Sequence, residues 1–248
     1  MTKQSHLIRF AFMTQVTTSC GGEPDTKEVR FAVEKSGEVS ALFNRPATPD
    51  SLLVLAHGAG AGMRHIFMEN LARELVKQRV AVLRYQFPYF EQGRKIPDSL
   101  NVLTATVRAA VGCARELAPG VPLFAGGKSM GGRMTSTAAS QEPLSDVLGL
   151  IFFGFPLHPP GRPGVTRAAH LAKVGVPMLF LQGTRDPLAQ LELLRPICAD
   201  LGPRATLNII ETADHSFKLL KSSGRGNSEV LSYLAETSAS WARAQIPN

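Results

Sequence analysis

The residues with the most chemistry in them are a serine set among glycines, Gly126-Gly127-Lys128-Ser129-Met130-Gly131-Gly132. An apolar run over 121–125 precedes them and reads as a short buried strand, and a stretch rich in small residues over 133–140 follows and suits a helix. A serine on so tight a strand-to-helix turn presents its hydroxyl as a nucleophile, and bulky neighbours would clash there. The helix behind it aims its first N–H groups and positive dipole end at an oxyanion forming at the serine. Such chemistry needs a base, and an acid to orient that base. Two later loops offer them. Asp186 stands in Gln182-Gly183-Thr184-Arg185-Asp186-Pro187, after an apolar run over 176–181. His215 stands in Glu211-Thr212-Ala213-Asp214-His215-Ser216-Phe217, after a run over 205–210. The order Ser129, Asp186, His215, each just after a strand, predicts a relay. Ser129 is its nucleophile, His215 its general base and acid, and Asp186 orients the imidazole. Asp214 is the rival acid, but as the chain neighbour of His215 it would struggle to reach Nδ1.

The oxyanion calls for the N–H of Met130 and for a second donor from the loop His57-Gly58-Ala59-Gly60-Ala61-Gly62. Ala59 or Gly60 is the expected residue. A phosphate-binding loop is the competing reading of these glycines. It fails on spacing, because no Gly-x-x-x-x-Gly-Lys-Ser/Thr pattern is present and no acidic residue ends the next strand at 80–83. His57 is expected to brace the loop by hydrogen bonding rather than to react. Lys128, Arg64, Arg84 and His158 sit in or beside strand-end loops and are candidates to pair with an anionic substrate group. Each has an ordinary structural role open to it as well. Lys128 stands out because a charge beside the nucleophile would also favour the oxyanion. No ligand cluster has metal-binding spacing, so neither a metal nor an organic cofactor is expected.

These side chains demand a scaffold that brings several strand ends to one edge. Alternating residues over 28–34 and 38–44, with Ser36-Gly37 between them, predict an antiparallel hairpin. Apolar runs at 52–56, 80–83, 121–125, 147–153 and 176–181 read as strands covered on both faces, and 205–210 reads as the last strand. Helical spacing appears at 67–78, 98–117 and 228–243, and further helices are expected near 166–173 and 188–201. Two antiparallel strands followed by repeated strand–helix units predict an α/β fold with a mainly parallel, doubly wound sheet. Ligands of such sheets bind at the carboxyl ends of the strands.

The bulk properties narrow the class. A chain of 248 residues is long enough for one large α/β domain, expected over 26–248 behind a poorly ordered extension at 1–25. Met13 is an alternative start, and the N-terminal stretch only faintly resembles a signal peptide because Arg9, Thr14 and Gln15 interrupt it. The net charge is +7, yet Lys and Arg are scattered with no aromatic ladder among them, so no nucleic-acid partner is expected. No apolar run approaches the roughly 20 residues of a membrane helix, so no membrane partner is expected either. Three cysteines, Cys20, Cys113 and Cys198, form no Cys-x-x-Cys pair, which fits a reducing compartment and a cytoplasmic location.

The residues at 57–62, 84–89, 126–133, 155–161, 182–187 and 213–218 together resemble the α/β-hydrolase superfamily. Within it they resemble the small group of testis-expressed and NSL-complex-subunit hydrolase-like domains and their bacterial relatives. Dienelactone hydrolases are a more distant relation, carrying cysteine where this chain has Ser129. The resemblance implies acyl transfer without a cofactor, on a small acyl substrate. It also leaves open a catalytically idle scaffold, since some eukaryotic relatives look like complex subunits that need no catalysis. The segment 154–175, where many relatives insert a lid, is short and rich in proline and glycine, so a minimal cap and an open pocket are expected. Neither the oligomeric state nor the bond cleaved is legible in these motifs.

Overall fold

The computed structural model of the protein describes residues 26–224 and 226–247. The extension expected over 1–25, with Met13 and Cys20 in it, lies outside the described residues. Strands β1 (Thr26–Val33) and β2 (Gly37–Asn44) form the antiparallel hairpin, and its alternation turns Val29, Phe31 and Val33 to the core. The chain then winds through β3 (Ser51–Ala56), α1 (Ile66–Lys77), β4 (Val80–Tyr85), α2 (Pro88–Glu91), α3 (Leu100–Leu117) and β5 (Leu123–Lys128). It continues through α4 (Met130–Gln141), β6 (Val147–Phe153), a 3-10 segment (Thr166–Lys173), β7 (Met178–Gly183), α5 (Leu191–Leu201), β8 (Ala205–Ile210) and α6 (Asn227–Gln245).

The eight strands make one sheet in the order β1-β2-β4-β3-β5-β6-β7-β8, and β3 to β8 run parallel. The unbroken apolar runs follow from burial on both faces. In β3, Leu53 and Leu55 pack with Leu71 and Leu75 of α1 and Leu234 of α6. Val54 and Ala56, pointing the other way, pack with Val107 of α3 and Met134 of α4. The strand order reverses at β3, which has β4 on one side and β5 on the other. The loops leaving β3 and β5 therefore open side by side at the carboxyl edge, where a doubly wound sheet has its crevice.

Three elements differ from their sequence reading. Strand β5 runs on through both glycines to Lys128, because its neighbours pair with it that far, Gly127 opposite Ala56 and Lys128 opposite Phe153. Residues 88–91 make a short extra helix that opens on Pro88, a residue suited to a first helical turn. The helix expected near 166–173 is 3-10. Cys113 and Cys198 are free and buried in α3 and α5, where burial pushes both thiols up to about 11. Among the described residues no helix is long and apolar enough to cross a membrane.

Candidate active site

Ser129 is the single residue between β5 and α4, and its backbone takes φ 53° and ψ −117°. A positive φ at a residue with a side chain costs on the order of 1–3 kcal/mol and persists only where the surroundings impose it. The surroundings here are a backbone crossing. A Cβ on Gly127 would lie 2.5 Å from the Ala56 carbonyl oxygen, and one on Gly131 would meet the same oxygen and lie 2.7 Å from that of His57. Only glycine on both sides lets the turn press against the end of β3. The Ser129 N–H is tied to the Phe153 carbonyl at 3.2 Å, which fixes the turn to β6 as well.

The three residues expected from chain order come together within hydrogen-bonding distance. His215 Nε2 lies 2.9 Å from Ser129 Oγ, and His215 Nδ1 lies 2.7 Å from Asp186 Oδ2. Asp186 follows β7 and His215 follows β8, so two strand ends deliver them to the serine. The Asp186 side chain is fully buried, and its oxygens also accept from Gln182 Nε2 at 2.6 Å and from the Leu188 N–H at 2.8 Å. Gln182, in turn, accepts the Phe155 N–H at 3.0 Å. No motif marks Gln182 as a site residue; its signal in the sequence is a polar side chain near the end of an otherwise apolar strand. Asp214 is occupied elsewhere, its Oδ1 accepting the N–H groups of Ser216 and Lys218 at 2.8 and 3.0 Å.

The glycine loop after β3 is held from beneath. His57 is wholly buried among the rings of Phe87, Tyr89 and Phe90. The Phe87 N–H donates to its Nε2 at 3.1 Å, so Nδ1 carries the hydrogen and donates to the Gly58 carbonyl at 2.7 Å. Burial lowers the His57 pKa to about 4, so the ring is neutral. Tyr89 donates its hydroxyl to the Ala59 carbonyl at 2.8 Å, which orients the Ala59–Gly60 peptide with its N–H pointing the opposite way. Gly58 passes so close to the serine that a Cβ there would sit 3.7 Å from that of Ser129. Met130 opens α4, where a helix leaves its first N–H groups without an intrahelical acceptor.

The four cationic or imidazole candidates for an anion are engaged in other work. The Lys128 ammonium does not face the open side of the serine: it donates to the His215 carbonyl at 2.6 Å and lies 5.9 and 5.4 Å from the ring centres of Phe67 and Phe217. Arg84 is buried, its two Nη groups donating to the Met63 carbonyl at 2.8 Å and to Asn44 Oδ1 at 3.0 Å. Arg64 pairs on the surface with Glu28 at 2.9 Å. His158 is buried, its Nδ1 2.9 Å from the Pro159 carbonyl and its N–H donating to the Leu188 carbonyl. In each case an acceptor within the fold holds part of the group, although Arg84 Nε and His158 Nε2 are buried without a partner. Among the described residues no group of three or more His, Cys, Asp or Glu is arranged to hold a metal ion.

Residues 49–243 match the model of the alpha/beta hydrolase domain family. The chain belongs to the α/β-hydrolases. Similar solved structures include a dienelactone hydrolase from Anabaena variabilis, at 17% identity and a TM-score of 0.73, covering 91% of this chain and 100% of that one. A serine hydrolase described as lidless, from Xanthomonas campestris, matches at 18% identity and a TM-score of 0.68, covering 94% and 99%. Est1E from Butyrivibrio proteoclasticus matches at 15% and 0.66, covering 88% and 99%. This α/β-hydrolase contains a second serine–histidine contact, Ser136 Oγ to His170 Nε2 at 2.7 Å. Ser136 is buried in the middle of α4, and burial lowers the His170 pKa to about 4. No carboxylate bonds to His170 among the described residues. The pair clamps the 3-10 segment onto α4 and lacks the partner a relay needs.

Proposed function

We propose that this α/β-hydrolase is a serine hydrolase that cleaves an ester-type bond, a carboxylester or thioester, in a small substrate. The observation that carries the reading is the continuous hydrogen-bonded path from Ser129 Oγ through His215 to buried Asp186. Asp186 accepts from Nδ1, which leaves the Nε2 lone pair facing the serine hydroxyl. Ser129 Oγ attacks the acyl carbon while its proton passes to Nε2, and the carbonyl electrons move to the oxygen. The N–H groups of Met130 and of Ala59 or Gly60 receive that oxyanion. Collapse breaks the bond to the leaving alcohol or thiol, which takes the proton from Nε2. Water then repeats the sequence on the acyl-enzyme and frees the acid and Ser129. The short cap over 154–175 supports a small acyl substrate, and the free thiols of Cys113 and Cys198 support a cytoplasmic setting.

The test is a chain-length series of p-nitrophenyl and thioester acyl substrates, with a fluorophosphonate probe read by mass spectrometry. Wild type should turn over the short members and label at Ser129. Ser129→Ala should lose at least about a thousandfold in kcat/KM and all labelling. Folded wild-type protein that neither labels nor turns over any member would return the chain to a binding or scaffold role.

A further inference from the structure

Each of the four candidate groups makes at least one bond within the fold, whereas the whole guanidinium of a charged residue beside the nucleophile makes none. Arg133 lies one turn into α4, and its N–H donates to the Ser129 carbonyl at 3.1 Å. Residues four apart share a helix face, and helical side chains lean toward the helix N-terminus, so Arg133 leans back toward the serine. Its guanidinium makes no hydrogen bond or ion pair among the described residues, and its Nε is buried without an acceptor. Buried donors are nearly always satisfied, so an idle guanidinium at this position requires an explanation.

A second arginine faces it. The 3-10 segment packs on α4 through His170, and Arg167 stands three residues earlier, where side chains of a 3-10 helix eclipse. Arg167 therefore shares the α4-facing side with His170. Burial, and then the like charge of Arg167, hold Arg133 below its usual range, and Arg133 in turn helps keep His170 neutral. Among the described residues no carboxylate pairs with either arginine. Two neighbouring guanidinium groups without a counter-ion repel each other, and they present paired donors that fit the oxygens of a carboxylate or phosphate.

We propose that Arg133 and Arg167 form a binding site for an oxyanion that the ester substrate carries away from its scissile bond. The inference rests on Ser129 being the nucleophile and names the substrate class: an ester with a carboxylate or phosphate at its far end. The cap then has a specific task, since the 3-10 segment brings Arg167 across from the helix that bears the serine.

Two matched esters test it. p-Nitrophenyl hemiglutarate and p-nitrophenyl valerate have the same acyl length and differ by a carboxylate in place of a methyl. Wild type should favour the hemiglutarate in kcat/KM, with a KM for it that rises with salt. The Arg133→Gln/Arg167→Gln protein should lose at least tenfold in the hemiglutarate-to-valerate ratio; a ratio within twofold of wild type overturns the proposal. Should that double variant fail to label with fluorophosphonate, Arg167→Gln alone, on the half-buried cap, gives the same readout with the same threshold. Calorimetry on Ser129→Ala protein separates this inference from the reaction it rests on. Glutarate or inorganic phosphate should bind and should weaken at least tenfold on adding Arg167→Gln, the preferred ion telling carboxylate from phosphate. Binding of neither, or binding indifferent to Arg167, overturns the site even if wild type hydrolyses esters. Wild type inert to both esters would instead sink the hydrolase reading, with the calorimetry still deciding the oxyanion site.

Discussion

At the scale of single residues, Lys128 shows how a neighbour in sequence need not be a neighbour in chemistry. Adjacent to Ser129, it reads as a charge for substrate or oxyanion; its ammonium is spent on the His215 carbonyl between two aromatic rings. The reason is the strand. Residues alternate faces along β5, and the side chain one before Ser129 is turned toward the loop after β8. Lys128→Met should therefore lower kcat about tenfold on anionic and neutral p-nitrophenyl esters alike, by loosening the histidine loop. A loss confined to anionic esters would contradict this placement. Burial lowers the Lys128 pKa to about 8, with Asp186 and Asp214 opposing the shift. The ammonium is present below that pH and lost above it, so wild-type turnover should fall as pH rises through about 8. Lys128→Met should lack that alkaline decline.

At the scale of elements, the tight packing of the β5–α4 turn against β3 makes the site. The glycines are legible in sequence, because a serine elbow needs them, but the object they avoid is not. That object is the carbonyl end of β3, which arrives from far away in the chain. Gly131→Ala should force the turn off Ala56 and cost about 1–3 kcal/mol of stability, as overpacking of a filled site does. Chemical denaturation measures the first effect, and the rate of fluorophosphonate labelling at Ser129 should fall with it. Unchanged stability and labelling would mean that α4 is free to shift. Gln182 belongs to this scale too. It joins the β7 end to Phe155 beyond β6 and to Asp186, and Gln182→Leu should slow labelling at Ser129 without abolishing it.

Across the whole molecule, burial holds two histidines, His57 and His170, in their neutral form. His57 and His170 are both held to about 4 from an ordinary 6.5, so the unfolded chain binds protons more readily than the native one between those values. Their depressed values leave stability intact above about 6.5 and erode it as pH falls toward 4. For fully buried His57 alone the loss approaches about 3 kcal/mol. Urea midpoints should drop steadily from pH 7 to pH 5, less so in His57→Gln; a flat profile in wild type would refute the neutral, buried assignment. Much of the molecule was legible in the chain alone. Continuous apolar runs state that strands are covered on both faces, and strand-then-loop order states that Ser129, Asp186 and His215 share an edge. Both are local patterns repeated along the chain, so sequence by itself determined the fold class and the strand ends on which Ser129, Asp186 and His215 stand. The fate of each charge was settled only by tertiary structure. Whether Lys128, Arg64, Arg84 or His158 is free depends on which carbonyl or carboxylate the fold brings within 3 Å or so, and those partners come from other elements. By the same physics Arg133, which no motif marks as a binding residue, is the unpaired group beside Ser129.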